Sequence, residues 1–357
     1  MFRNLTVKFI IGLLMSTLLL SCPDIFPLKH YEATFPGIPV DMGDINSVYD
    51  DYNSASPVYG TSTPLCFSTN RKSLGQNFDI IYKLLDVYMM RKDGILHVSE
   101  NTGNSGVDNY ELVISNANLA NALIKLNTGS DELGPYLIPR QLITLASNNG
   151  PLYYQQYIIL YASNEPGNFN IRFTQNVSST NYSDPKDIEF LNSPVDDLYP
   201  SLSYDSSEIY FCSNRGGDFD IYHTSVNPGN DLIAAFSDTT QKAIVKDTIL
   251  SSPFDDKCPY IIGNLMVLVS NRQDGFGRFD LYYSIYKNGK WSSPVNFGDK
   301  INTAYDEYRP VVKIIMDFTN DFMIFSSDRK GGKGGFDLYY AGIDKMTGLD
   351  YSGHFMQ

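Results

Sequence analysis

The sequence predicts an all-β protein built as a β-propeller of six blades, with five as the alternative if one unit carries a long insertion. Three observations predict it. A Ser-Asn-Arg…Phe-Asp-Ile/Leu-Tyr signature recurs along the chain, and each copy follows a proline by a similar interval. The apolar runs between punctuating Gly, Asn, Asp and Ser are short and rich in Val, Ile, Tyr and Phe, which suits strands. Composition agrees: the 357 residues are 43% hydrophobic and 19% charged, ordinary for a globular chain. With 27 basic against 40 acidic residues the net charge is −13, which argues against a nucleic-acid partner, because phosphate binding rests on Lys and Arg.

The first residues read as an address. Arg3 and Lys8 precede an apolar run over residues 9–20 that is too short to span a bilayer and suits a signal peptide. The run closes with Leu19-Leu20-Ser21-Cys22, which resembles the lipobox of bacterial lipoproteins. That resemblance implies cleavage before Cys22 and acylation of Cys22, which would hold the product on a membrane. Pro23 stands where the aspartate of the inner-membrane retention signal would be, so an outer-membrane lipoprotein is expected, its leaflet open. The expected organisation is a signal peptide at 1–21, a tether at 22–36, the propeller at 37–346 and a tail at 347–357.

The signature appears as Ser68-Thr69-Asn70-Arg71…Phe78-Asp79-Ile80 and as Ser213-Asn214-Arg215…Phe219-Asp220-Ile221-Tyr222. Two further copies are Ser270-Asn271-Arg272…Phe279-Asp280-Leu281-Tyr282 and Ser327-Asp328-Arg329…Phe336-Asp337-Leu338-Tyr339. An altered copy, Ser163-Asn164-Glu165…Phe169-Asn170-Ile171, lacks both the Arg and the Asp. The preceding prolines are Pro57, Pro151, Pro200, Pro259 and Pro310, and the first interval is nearly double the others. A worn unit is therefore expected between residues 83 and 145, with Asp108-Asn109-Tyr110-Glu111 matching Asp306-Glu307-Tyr308-Arg309. Residues 117–125 are the one modest helix candidate.

Residues 199–222, Tyr-Pro-Ser-Leu-Ser-Tyr-Asp through Asn-Arg-Gly-Gly-Asp-Phe-Asp-Ile-Tyr, resemble the WD40-like repeat of TolB-type propellers. The resemblance covers nearly all of 38–346 and implies an envelope propeller; nothing resembles TolB's separate amino-terminal domain. One internal match predicts how the ring closes. Pro39-Val40-Asp41-Met42-Gly43-Asp44 parallels Pro294-Val295-Asn296-Phe297-Gly298-Asp299, an outer strand, yet no blade precedes it. It should supply the outer strand of the last blade, beside residues 336–343, and so pair an otherwise open edge.

Two readings of the repeated charges stand at this point. Arg71, Arg215, Arg272 and Arg329 either ring an anion site or staple hairpins by pairing with Asp79, Asp220, Asp280 and Asp337; a residue repeated in every blade favours the staple. Asp51, Asp108, Asp197, Asp256 and Glu307, from acidic clusters ahead of each unit, either circle one mouth as a face for a cationic peptide or Ca²⁺, or cap backbone N–H groups and face the arginines. No other cofactor is expected. Cys66, Cys212 and Cys258 are expected as buried thiols, their pairing open, and the four histidines lack zinc spacing. No nucleophile elbow or phosphate loop is found, so the expectation is a non-catalytic module for an envelope protein or peptide, not an enzyme. The alternative is an envelope enzyme or accessory protein acting on or binding glycans.

Overall fold

The computed structural model describes residues 32–57, 63–90, 92–101, 109–145, 152–178, 181–226, 231–315 and 318–349. Cys22 and Asp108 lie outside them. Within them the chain forms five four-stranded antiparallel blades, the fourth carrying an extra strand, so the count is five and not six. Blade 1 holds Asp51–Ala55, Thr63–Thr69, Asp79–Met89 and Leu96–Glu100; blade 2 holds Glu132–Leu145, Leu152–Ser163, Asn170–Gln175 and Lys186–Asp187. Blade 3 runs through Asp197–Leu202, Glu208–Ser213, Asp220–Ser225 and Val245–Lys246. Blade 4 comprises Asp256–Ile262, Leu265–Ser270 and Asp280–Lys287, with the third strand flanked by Lys290–Trp291 and Val295–Asn296. Blade 5 is Glu307–Lys313, Asp321–Ser327 and Asp337–Ile343, and its outer strand is Val40–Asp41 from the other end of the chain.

That closure is the one the internal match predicts. Val40 pairs with Tyr340 and Asp41 with Tyr339. Residues just ahead of the strand tighten it: Asn320 takes the Phe35 N–H on its Oδ1 at 2.8 Å and returns its Nδ2 to the Phe35 carbonyl at 3.0 Å. The unit expected at Asp108 is instead an insertion in blade 1's link to blade 2. It contains helix α1 (Asn109–Leu126), which buries Leu119, Ala122 and Leu126 against Tyr157, Ile159 and Tyr182 of blade 2. Residues 110–114, strand-like in sequence, lie within this helix.

Adjacent blades are joined by a repeated clasp. The N–H of each signature Phe donates to an Asp that opens the next blade: Phe78 to Asp131 at 2.9 Å, Phe169 to Asp196, Phe219 to Asp255 and Phe279 to Asp306 at 3.0 Å, and Phe336 to Asp50 at 2.8 Å. The following residue returns a backbone N–H to the Phe carbonyl at 2.6–2.8 Å in all five places. The signature Asn closes the loop from the other side, since Asn70, Asn164, Asn214 and Asn271 accept the N–H of those same aspartates. Repetition of residues is thus repetition of one hydrogen-bonded joint, and buried backbone groups that would face no partner are satisfied.

The second acid of each pair is buried and takes the blade's arginine. Asp51 pairs with Arg71, Asp197 with Arg215 and Asp256 with Arg272 at 2.5 Å, and Glu307 with Arg329 at 2.9 Å. The expected pairing with Asp79, Asp220, Asp280 and Asp337 is therefore corrected. Those aspartates start the third strand, where Asp220 meets Lys246, Asp79 meets Lys72, and Asp280 and Asp337 accept backbone N–H groups of the preceding turn. The arginine reaches inward because each guanidinium also lies over aromatic rings of its own blade, as Arg215 does over Phe211 and Tyr222. Blade 2 keeps its acid, Glu132, but has Glu165 in place of the arginine; Thr128 and Ser163 hydroxyls serve instead, and burial pushes the Glu132 carboxyl up from its usual range.

Every inner strand then carries a bulge, and the bulged residue has positive φ: Asn53, Gly134, Tyr199, Cys258 and Arg309, at 58°, 57°, 56°, 55° and 45°. Blade 2 uses glycine for a second reason as well, since a Cβ at Gly134 would lie 2.3 Å from a ring carbon of Tyr199. This position, Gly134-Pro135, is blade 2's counterpart of Tyr199-Pro200, in place of the expected Pro151. Farther along the last inner strand, Lys313 is buried and its Nζ donates to the Pro57 carbonyl at 2.6 Å; desolvation draws its ammonium down to about 7.

Two outcomes are expected. Arg215→Met leaves Asp197 as a buried charge without its cation, so urea unfolding should show a loss of about 3–5 kcal/mol. Lys313 binds its proton more weakly folded than unfolded, so stability should rise as pH climbs from about 7 towards 10.5. In Lys313→Met that part of the rise, of the order of a few kcal/mol, should vanish from denaturation curves taken across the same range.

Candidate functional site

The acid ring is closed to ligands. Asp51, Asp197, Asp256 and Glu307 have no exposed surface, and each spends its oxygens on the blade's arginine and on link residues, for example Ser193 N–H to Asp197 at 2.6 Å. Half-buried Phe rings cover the mouth. Tyr52 packs between Phe336 and Phe78, Tyr308 between Phe279 and Phe336, and the Lys257 ammonium lies over Phe219 and Phe279. The face expected to dock a cationic peptide or Ca²⁺ is a structural layer, as the capping alternative held. Among the described residues no group of three or more His, Cys, Asp or Glu is placed to hold a metal. Cys66, Cys212 and Cys258 are free, buried thiols; burial raises Cys66 and Cys212 to about 12.

The opposite face carries an open cleft between blades 3 and 4. Its first wall is the turn between the inner two strands of blade 3. Asp205 organises that turn by accepting from the Ser203 hydroxyl at 2.8 Å, the Ser207 hydroxyl at 2.7 Å and the Ser207 N–H at 3.0 Å. These bonds, those from Ser207 foremost, hold its carboxyl below the usual range, so it is ionised at neutral pH. The next strand begins at Glu208, and alternation puts Glu208 and Tyr210 on one face with His223 opposite Tyr210 on the neighbouring strand. The Tyr210 hydroxyl donates to Glu208 Oε2 at 3.0 Å, His223 Nδ1 lies 3.2 Å from Glu208 Oε1, and the two rings stack with centroids 5.1 Å apart.

Blade 4 supplies the second wall. Its third strand turns back at Asn288-Gly289, both with positive φ, in the two-residue hairpin that Asn-Gly favours. That turn sets Tyr286 opposite Trp291, 5.0 Å apart, and sends the Trp291 Nε1–H to the Tyr210 hydroxyl at 3.2 Å. The resulting cleft holds 430 Å³, with Tyr204 and Tyr286 exposed at its rim and Tyr210 and Trp291 forming its floor. On the far side of Glu208 a second recess of 410 Å³ runs past His223 to Lys242. One carboxylate therefore divides two connected depressions, with aromatic rings on one side and polar groups on the other.

None of the residues of this cleft carries the repeated signature, which is why the repeat did not mark them. The sequence did hold a pointer: the chain's single Trp sits two residues after Asn-Gly, flanked by Tyr286, in blade 4 alone. Glu208 and His223 come together only through strand pairing, and their spacing in the chain says nothing of it.

No known protein family matches the chain, and no curated protein matches it. Among solved structures it is similar to an α-L-arabinofuranosidase from Podospora anserina in complex with cellotriose, at 12% identity over 88% of this chain and 97% of that one, with a TM-score of 0.45. An endo-arabinase from Bacteroides thetaiotaomicron is similar at 9% identity over 85% and 97%, with a TM-score of 0.47. A TolB-like protein from Agrobacterium tumefaciens is similar at 12% identity over 60% and 91%, with a TM-score of 0.33. Likeness at these values is a likeness of fold. The expectation of a non-catalytic protein- or peptide-binding module, and of no enzyme, rested on the acidic mouth and is corrected there: its carboxylates are buried and committed to arginines and link residues.

Proposed function

We propose that the protein is a glycan-directed propeller that binds a saccharide in the cleft between blades 3 and 4 and acts on it there. One observation carries this reading: two carboxylates, Asp205 and Glu208, line a depression whose walls include Tyr204, Tyr210, Tyr286 and Trp291. Sugars present flat C–H faces that pack on aromatic rings and hydroxyls that bond to carboxylates, so such walls suit them better than a peptide. Glycosidic cleavage needs one carboxyl group as proton donor and a second that stays ionised. Asp205 is held ionised by its three hydrogen bonds, and Glu208, contacted by Tyr210 and His223, lines both depressions as the second carboxyl group. Among ligands, the cellotriose and xylotriose named for similar structures set the first oligosaccharides to try.

The lipobox-like Leu19-Leu20-Ser21-Cys22 supports an outer-membrane anchor, and the TolB-type repeat supports an envelope setting, where such glycans would be met. Acylation should be lost in Cys22→Ala when cells are labelled with palmitate; continued labelling would remove the anchor from this reading.

The cleft is tested by titrating the purified chain with xylo-, cello- and arabino-oligosaccharides and following products by chromatography. Trp291→Ala should weaken binding at least tenfold, ~1.4 kcal/mol, while Glu208→Gln keeps binding and loses cleavage. Unchanged binding in Trp291→Ala, or no saccharide bound at all, would sink the proposal.

A further inference from the structure

Arg309 is the bulged residue of blade 5's inner strand, and its side chain is fully buried at the ring's centre. Its guanidinium lies over the Tyr199 ring at 5.2 Å, and Nη2 donates to the Pro135 carbonyl of blade 2 at 3.2 Å. Nε and Nη1 have no acceptor among the described residues, and no carboxylate there forms an ion pair with it. The four signature arginines, Arg71, Arg215, Arg272 and Arg329, each have an acid.

An arginine cannot escape burial by losing its proton, as Lys313 on the same strand does in part. A desolvated cation with no counter-charge is among the least favourable groups a core can hold. The titratable neighbours do not provide that charge. Burial lifts Tyr199 and Tyr308 well above the ordinary phenol value and raises the Cys258 thiol, so all three stay neutral near pH 7. The inner-strand carboxylates are already committed to their own arginines and links. Tyr199 covers one face of the guanidinium and Pro135 takes Nη2, which leaves the N–H groups of Nε and of Nη1 as the donors still without an acceptor.

We propose that the propeller's centre binds a small monovalent anion of chloride size at a free N–H of Arg309, on Nε or on Nη1, as an internal counter-ion that ties blade 5 to blades 2 and 3. This site is separate from the saccharide cleft and stands or falls without it.

Crystals of the full chain grown in sodium bromide should show an anomalous peak in hydrogen-bonding contact with Arg309 Nε or Nη1. In solution, replacing gluconate, which is too large to enter, by chloride at fixed ionic strength should raise the unfolding midpoint by roughly 2–4 °C per tenfold chloride. Arg309→Met should lose both the peak and the chloride dependence; if that variant does not fold, the two measurements on the unaltered chain decide. Bromide found only at other positions, or water alone beside Nε and Nη1 with a midpoint indifferent to chloride, would overturn the proposal.

Discussion

The joint between one signature Phe and the Asp that opens the next blade is the interaction on which this molecule rests. A blade by itself is a small twisted sheet with two apolar faces and two edges, too little to be stable alone. The Phe N–H to Asp bond, with the return bond from the following residue, fixes the position of one sheet on its neighbour at five places round the ring. Second strands such as Leu265–Ser270 can then be wholly buried, because a neighbour covers each of their faces. The arginine–acid pairs stand one layer inward and turn the first acid's neighbour into a buried anchor. Both acids of each doublet are consumed by construction.

That consumption explains which parts of the molecule were legible in the chain. The propeller class and the closing strand could be read because they repeat, and repetition in sequence is repetition of a joint. The arginines' partners could not be read from one copy. Asp220 and Asp197 lie on opposite sides of Arg215 in sequence, and only the inward lean of the guanidinium over Phe211 and Tyr222 selects Asp197. Blade 2 was misplaced because its proline follows a glycine rather than the acid–Leu–Tyr pattern, and because helix α1 occupies residues that are individually good strand formers. The cleft was invisible for the converse reason: Glu208, His223 and Trp291 occur once each and meet through pairing across two blades.

Division of labour between the two faces follows. One face is uniform, made of the same Phe, acid and arginine in nearly every blade, and it is closed. The other face is built from the turns between strands, which no joint constrains, and there the blades differ. Blade 3 contributes a carboxylate-centred turn and blade 4 an Asn-Gly hairpin bearing the single Trp, and their meeting makes the one strongly aromatic cleft among the described recesses. Between the faces the five bulged positions carry dissimilar residues, from glycine to arginine, on one backbone conformation.

The shared fifth blade has a bearing on how the protein is made. Val40–Asp41 leaves the ribosome before every other strand described, while Asp337–Ile343, against which it lies, comes after all of them. Joining ends some three hundred residues apart carries a loop-closure entropy of about 5 kcal/mol, and it must be met before any pairing there is gained. Until then both flanks of the growing arc present unpaired strand edges, the feature most open to wrong partners. A nascent fragment that lacks Asp337–Ile343 is therefore an open crescent, and the annulus can close only once that strand has been made.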